Sequence, residues 1–213
     1  MIVDTEAKYR PTSLADYVYP NNDVKAVIEA YATGDITRPL ILCGSNGTGK
    51  SLLASLLPTA IEGRKAEVNY VRAEDLNSNK EVRTQFAQNK QFAKFFTINN
   101  QRYNYHIIEE VNFDAKATDA FKVVLDEYRG TDLTIITTNS VHKIDAGIRD
   151  RCELVDVPAC QPHVFLGRAL HIIGAEGFAV DEEMVLRALE TAYDIKPSNR
   201  SYYKKIEEIM RMA

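Results

Sequence analysis

The stretch Gly44-Ser45-Asn46-Gly47-Thr48-Gly49-Lys50-Ser51 gathers the residue types that can hold a polyphosphate. It fits the spacing G-x-x-x-x-G-K-[ST]. Glycines at 44, 47 and 49 let the backbone turn sharply and approach a ligand, because no Cβ stands in the way. The N–H groups freed by such a turn converge into an anion nest. A helix beginning near Lys50 adds its positive end to that nest. Lys50 supplies a mobile cation for the β- and γ-phosphates, and Ser51 a hydroxyl for Mg2+. Asn46, Thr48 and Leu52 complete the candidate nucleotide-binding positions. A second group of candidates follows downstream. The run Tyr103-Asn104-Tyr105-His106-Ile107-Ile108-Glu109-Glu110 ends an apolar segment in two carboxylates. An acid at the end of a strand can hold Mg2+ and orient water beside a phosphate loop.

The elements that must position these residues are legible in the pattern. Pro39 to Cys43 is an apolar run that reads as a buried strand, and Leu52 to Leu57 begins the helix after the loop. Strand, glycine loop and helix in that order are the context the motif requires. Residues Glu67 to Val71 and Leu133 to Thr138 read as further strands, with Asn139 at the end of the second, and Glu153 to Val157 as the last. Helices are expected from Asn22, as cap, to Gly34. Others are expected over Asn79 to Phe95, Ala115 to Tyr128 and Ile144 to Arg149. Met1 to Thr12 reads as an extended arm, since Pro11 biases Arg10 away from helix. Strands alternating with helices imply a parallel sheet with ligands at the strand C-termini, where Gly44, Glu110 and Asn139 would share one edge. From Gln161 onward the texture is helical only: His163 to Ile173, then Asp181 to Tyr193 after the Glu176-Gly177 break. A turn at Asp194 to Pro197 precedes a last helix, Ser198 to Met212.

Composition narrows the classes. The chain has 213 residues and a formal net charge of −4, which argues against a generally basic nucleic-acid binder but leaves room for a local patch. No apolar run approaches the ~20 residues of a membrane span, and Met1 to Arg10 has no signal-peptide core. Cys43, Cys152 and Cys160 have neither disulfide nor zinc spacing. These features lead to the expectation of a cytoplasmic protein, in the host cytoplasm if phage-encoded, with no membrane partner.

The order of motifs resembles the AAA+ superfamily, and within it the small ATPase subunits of replication clamp loaders, phage types included. Lys8-Tyr9-Arg10-Pro11 is similar to that family's K-Y-R-P start, which implies that Tyr9, Arg10 and Pro11 pack against adenine. Ile107-Ile108-Glu109-Glu110 resembles the Walker B strand. The resemblance implies that Glu109 holds Mg2+ with Ser51 and that Glu110 polarises water. Thr138-Asn139 resembles sensor 1. Ile148-Arg149-Asp150-Arg151-Cys152 is similar to the S-R-C segment and implies an arginine finger at Arg151; the alternative is an ion pair with Asp150 or Glu153. Glu176-Gly177-Phe178 resembles the lid turn, and Pro197-Ser198-Asn199-Arg200 falls where sensor 2 stands, making Arg200 the candidate.

The resemblance implies an α/β fold, a P-loop AAA+ parallel sheet flanked by helices over residues 1–158, with a small C-terminal α-helical lid domain over 159–213. ATP and Mg2+ are the expected cofactors. The expected function is an ATP-hydrolysing protein of clamp-loader type in DNA replication, with Glu110, Asn139, Arg151 and Arg200 in catalysis. Self-association through Arg151 facing a neighbour's ATP site, contact with DNA through Lys80, Arg83 and Lys90, and a sliding clamp or other replication protein are the expected partners. The alternatives are a nucleotide-gated scaffold with weak hydrolysis, or a phage accessory such as a helicase loader, recombination or packaging factor. Three departures stand out: Glu109 where the family has Asp, Asp150 where it has Ser, and an expected lack of a C-terminal collar.

Overall fold

Branched and aromatic residues make the strands in near-continuous apolar runs, because both sheet faces are covered, and the period-two alternation of side-chain direction decides which layer each one enters. A computed structural model describes residues 4–72, 76, 78, 80–86, 100–109 and 115–212. The strands are β1 (Leu40–Cys43), β2 (Val68–Arg72), β3 (Asn104–Glu109), β4 (Asp132–Thr138) and β5 (Glu153–Asp156). They form a sheet in the order β2-β3-β4-β1-β5, with every described pairing parallel. The helices are α1 (Thr5–Lys8), α2 (Asn22–Thr33), α3 (Lys50–Glu62), α4 (residues 80–86), α5 (Ala115–Glu127), α6 (Ala146–Arg149), α7 (Pro162–Ala175), α8 (Glu182–Ile195) and α9 (Asn199–Met212).

Each face of the sheet has its own apolar layer. On one, Leu40, Leu42, Tyr105, Ile107, Leu133 and Ile135 meet α2 and α3 through Ile28, Tyr31, Leu53 and Leu57. On the other, Ile41, Val71, Ile108 and Ile136 meet α4 and α5 through Val82, Phe86, Phe121 and Val124. A third layer lies among α7, α8 and α9, built on Phe165, Ile172, Leu189, Tyr202 and Ile206, with Tyr9 and Val18 packed against it.

Register carries the layers into a functional edge. Cys43 stands opposite both Thr138 and Asp156, so β1, β4 and β5 end at one level. Glu109 pairs with Thr137 one step earlier. Gly44 and Asn139 therefore leave the sheet side by side, and the Gly44 N–H is bonded to the Thr138 carbonyl at 3.2 Å. Glu110 lies outside the described residues, as do Asn79, Lys90 and Phe95.

Several boundaries differ from the sequence expectation. Residues Thr5–Lys8 are a helical turn rather than an extended arm, because the Asp4 carboxylate accepts the Ala7 N–H at 3.0 Å and caps it. Asn21, not Asn22, caps α2: its side chain takes the Val24 N–H at 2.9 Å. The end of α2 falls at Gly34 as expected, with φ +88°. Helix α8 runs through Asp194 and Ile195, so the expected turn shrinks to Lys196-Pro197. The segment before α6 is a short 3-10 turn, Val141–Lys143, and α6 starts only at Ala146, capped by Asp145.

Candidate functional site

Positive backbone angles shape the phosphate loop. Gly47 and Gly49 have φ of +81° and +98°, a region that costs a side-chain-bearing residue free energy, and Gly49 ends the loop as the cap of α3. Close packing adds a second reason for glycine. A Cβ on Gly44 would stand 2.3 Å from the Val157 carbonyl oxygen, and one on Gly47 would stand 2.2 Å from Ser198 Oγ. Thr48 is buried, with its hydroxyl donating to the Ser45 carbonyl at 3.2 Å. The Lys50 ammonium, also buried, donates to the same carbonyl at 2.7 Å. Thus the lysine is folded back across the loop, with its charge over the turn. Asn46 and Ser51 are exposed and Leu52 is half-buried.

Around the loop the candidates separate into those that meet it and those that do not. Asn139 is exposed just past β4. The turn that carries it is tied by Thr138, whose hydroxyl takes the Ser140 N–H at 3.2 Å and donates to the Ser140 carbonyl at 3.0 Å. Glu109 is exposed at the end of β3. Arg200 reaches the loop by its backbone, its N–H bonding the Gly47 carbonyl at 3.4 Å, while its guanidinium pairs with Glu6 of α1 at 3.0 Å. Arg151 is held elsewhere. Its Nε and Nη2 grip both oxygens of Asp126 at 2.9 Å, and Nη1 donates to the Gly147 carbonyl at 2.7 Å. The ion pair expected as its alternative role therefore exists, but with Asp126 on α5 rather than with Asp150 or Glu153. Hydrogen bonding to Arg151 holds the Asp126 carboxyl below its ordinary range.

The start motif joins the C-terminal helices. The Tyr9 hydroxyl donates to Glu176 Oε1 at 2.6 Å, the Lys8 ammonium meets the same oxygen at 2.5 Å, and Arg168 donates to the Tyr9 carbonyl. The bonds from Lys8 and Tyr9 depress the Glu176 carboxyl, the Lys8 bond most. Arg10 is exposed and Pro11 buried.

Sequence reasoning passed over several residues that the structure sets at the site. Ser198 and Asn199 touch the loop carbonyls of Gly47 and Thr48. Tyr17 lies beside Gly49, where a Cβ would stand 2.9 Å from its hydroxyl, and that hydroxyl is buried without a hydrogen-bond partner among the described residues. Burial raises its pKa. The signal for Ser198 and Asn199 was their place beside Arg200; nothing in the spacing marked Tyr17.

The donor set fits a nucleoside triphosphate with Mg2+. The loop is a cradle that side chains would fill, backed by one ammonium. A hydroxyl (Ser51) and a carboxylate (Glu109) are the hard oxygen ligands Mg2+ accepts alongside phosphate oxygens. Among the described residues no group of three or more His, Cys, Asp or Glu side chains could hold a metal ion.

Comparison with known proteins bears on family and fold. A family model described as ABC transporter matches residues 37–167, more than half of the chain. That interval runs from just before β1 into α7 and so covers the phosphate loop and strands β1 to β5. No helix of the described residues is long and apolar enough to cross a membrane. Replication factor C subunit 4 of Oryza sativa subsp. japonica is 29% identical over 175 residues, 79% of this chain and 50% of that protein. Replication factor C small subunit 1 of Pyrobaculum islandicum is 25% identical over 209 residues, 97% of this chain and 60% of that protein. The chain thus spans about half the length of the relatives it matches. Among solved structures, the RuvB Holliday junction branch migration motor of Thermotoga maritima superposes with a TM-score of 0.63 at 12% identity, covering 96% of this chain and 72% of that one. At that identity the likeness concerns the fold alone. The chain belongs to the family that the ABC transporter model describes, and it is similar in sequence to replication factor C subunits and in its parallel sheet and C-terminal helices to the RuvB motor.

Proposed function

We propose that this chain is an assembly-dependent ATPase that acts in DNA replication, with residues 1–158 as the ATPase core and 159–213 as a lid. The observation that carries the reading is the loop itself: positive-φ glycines past the C-terminal end of β1, which lies between β4 and β5, with the buried Lys50 ammonium folded over them. Lys50 and the loop amides would bind the β- and γ-phosphates, while Tyr9, Arg10 and Pro11 would lie toward the adenine. Ser51 and Glu109 would hold Mg2+, which when bound neutralises charge on the transferring phosphoryl group. Glu110 would orient the attacking water, and Asn139, just past β4, would help to hold Glu110 and sense the γ-phosphate. Arg200 approaches from α9, exchanging Glu6 for phosphate.

Arg151 serves a different site, that of an adjoining copy. Asp126 and Gly147 hold its guanidinium in a fixed pose on the α5–α6 surface, with the side chain still 35% exposed. Such a finger is worth ~10³–10⁵ in rate when it completes a neighbour's site. DNA would follow α4, where Lys80 and Arg83 are exposed while Val82 and Phe86 face the core. A sliding clamp or another replication protein is the client.

The test is MgATP turnover as a function of protein concentration, with and without primed DNA, for the wild type and Arg151→Ala. Turnover per chain should rise with concentration and with DNA at low salt. Arg151→Ala should lose that rise and keep its nucleotide affinity. Wild-type turnover in the variant at every concentration refutes the shared site. A second reading, a nucleotide-gated scaffold with slow hydrolysis, is favoured by Glu109, whose exposed carboxylate stands one methylene further out than Asp would. Tight MgATP binding with no turnover under any condition would establish that reading instead.

A further inference from the structure

We infer that Asn199 is a positioning residue: it aims the amide donors of the phosphate loop and ties that loop to the junction between the sheet and the C-terminal helices. This rests on the nucleotide-binding reading above and names a residue that the reading does not use. Asn199 is the first residue of α9, and both ends of its side-chain amide are engaged. Nδ2 donates to the Thr48 carbonyl at 3.0 Å, and Oδ1 accepts the Cys160 N–H at 2.8 Å. Turning the amide over would set oxygen against oxygen and NH2 against N–H, so the network fixes its orientation. Beside it, the buried Ser198 hydroxyl and the Arg200 N–H both reach the Gly47 carbonyl at 3.4 Å. Their longer distances leave the Asn199 bond as the shortest of these three from the start of α9 and the residue before it to the loop.

The consequence follows from peptide geometry. In a trans peptide unit the C=O and the following N–H point in opposite directions. Holding the Gly47 and Thr48 carbonyls toward α9 turns the N–H groups of Thr48 and Gly49 away from α9, into the concave side of the loop. Those are the donors an anion nest needs. The same helix grips the junction at a second atom: the Tyr202 hydroxyl donates to the Cys160 carbonyl at 2.6 Å. Cys160 lies between β5 and α7, so the peptide groups on both sides of it answer to α9. Loop, Asn199 and junction form one hydrogen-bonded chain. Linkage then requires reciprocity: whatever the clasp adds to nucleotide affinity, bound nucleotide adds to the clasp.

The experiment uses the full chain as wild type, Asn199→Ala and Asn199→Leu, the latter nearly isosteric and equally uncharged, with Lys50→Ala as the control for lost phosphate binding. MgATP affinity is measured by calorimetry, melting temperature without nucleotide, and amide hydrogen exchange at Gly49 and Cys160 with and without MgATP. Both Asn199 variants should bind MgATP about tenfold more weakly, equivalent to about 1.4 kcal/mol. MgATP should slow exchange at the Cys160 amide in the wild type and fail to do so in the variants. Wild-type affinity in either folded variant overturns the inference, as does a lowered melting temperature with unchanged affinity, which would mark a purely structural role. Failure of the wild type itself to take up MgATP overturns the nucleotide reading, and this inference with it.

Discussion

The sheet and the C-terminal helices are held together by different kinds of force. Strands β1 to β5 share a hydrogen-bond ladder and two apolar layers, with Leu40, Ile41, Leu42, Ile108 and Ile136 all fully buried between them. Helices α7 to α9 have a separate apolar layer and meet the loop through a few polar contacts, among them Asn199 to Thr48 and Ser198 to Gly47. A net hydrogen bond is worth about 0.5–1.5 kcal/mol, whereas each fully buried large side chain contributes about 1.5–3. The contrast teaches where motion is cheap. The sheet edge is a rigid platform, and the helices against it can be repositioned by exchanging a small number of hydrogen bonds. A nucleotide held between the two, as proposed above, would bias that exchange.

The largest expected effect tests whether the two regions are energetically distinct. Phe121 packs under the sheet and Phe165 within the C-terminal layer, and both are buried. Truncating either to alanine should cost about 3–5 kcal/mol locally. Phe165→Ala should raise hydrogen exchange over α7 to α9 while leaving β1, β3 and β4 protected; Phe121→Ala should expose the sheet amides. Uniform loss of protection in both variants would break the comparison.

A middle-sized effect concerns a polar cluster inside the sheet half. His106 is fully buried on β3, with Nε2 3.2 Å from Asp132 Oδ2 and Nδ1 3.3 Å from the Asn69 amide. The Phe86 ring covers it, centroids 4.4 Å apart. Burial pushes the Asp132 carboxyl up, but hydrogen bonds from His106, Asn104 and Thr131 and the nearby His106 charge hold it below its ordinary value. A depressed carboxyl stabilises the fold above the unfolded-chain pKa of about 3.9, and that stabilisation is lost as pH falls through the lower folded value. Asp132→Asn should therefore lower stability at pH 7 by about 1–3 kcal/mol. The difference from wild type should shrink below about pH 4. Urea unfolding across that range reads both. A constant difference at all pH values would remove Asp132 from the acid sensitivity.

The smallest effect sharpens the boundary. Asp181 caps α8, accepting the Met184 N–H at 2.8 Å. Asp181→Ala should cost about 1 kcal/mol. Its mark on hydrogen exchange should be confined to α8 and its neighbours, with melting of the sheet amides unmoved. A shift of the whole profile would show that the C-terminal helices and sheet unfold together.

Local chemistry explains what was legible from residues alone. The phosphate loop needs glycine at fixed offsets, and strands β1, β3 and β4 announce themselves by branched apolar runs. Helix α2 ends at Gly34 because an αL residue is needed there. Where side chains compete with the backbone nearby, local reading fell short: Asp4 caps a turn that Pro11 had suggested would be extended. Arg151 and Arg200 were picked out by motif, yet their partners were not.

The sequence by itself determined the phosphate loop, the alternation of strands and helices and the shift to helix after residue 160, since each rests on residue types within a few positions of one another, and from that alternation a parallel sheet followed as the expectation. Tertiary structure alone decided that Arg151 grips Asp126, 25 positions away, that Arg200 meets Glu6 across 194, and that Asn199 holds Thr48 across 151. Pairings over such separations leave no spacing signal; they arise when packed layers bring distant chain segments within hydrogen-bond reach.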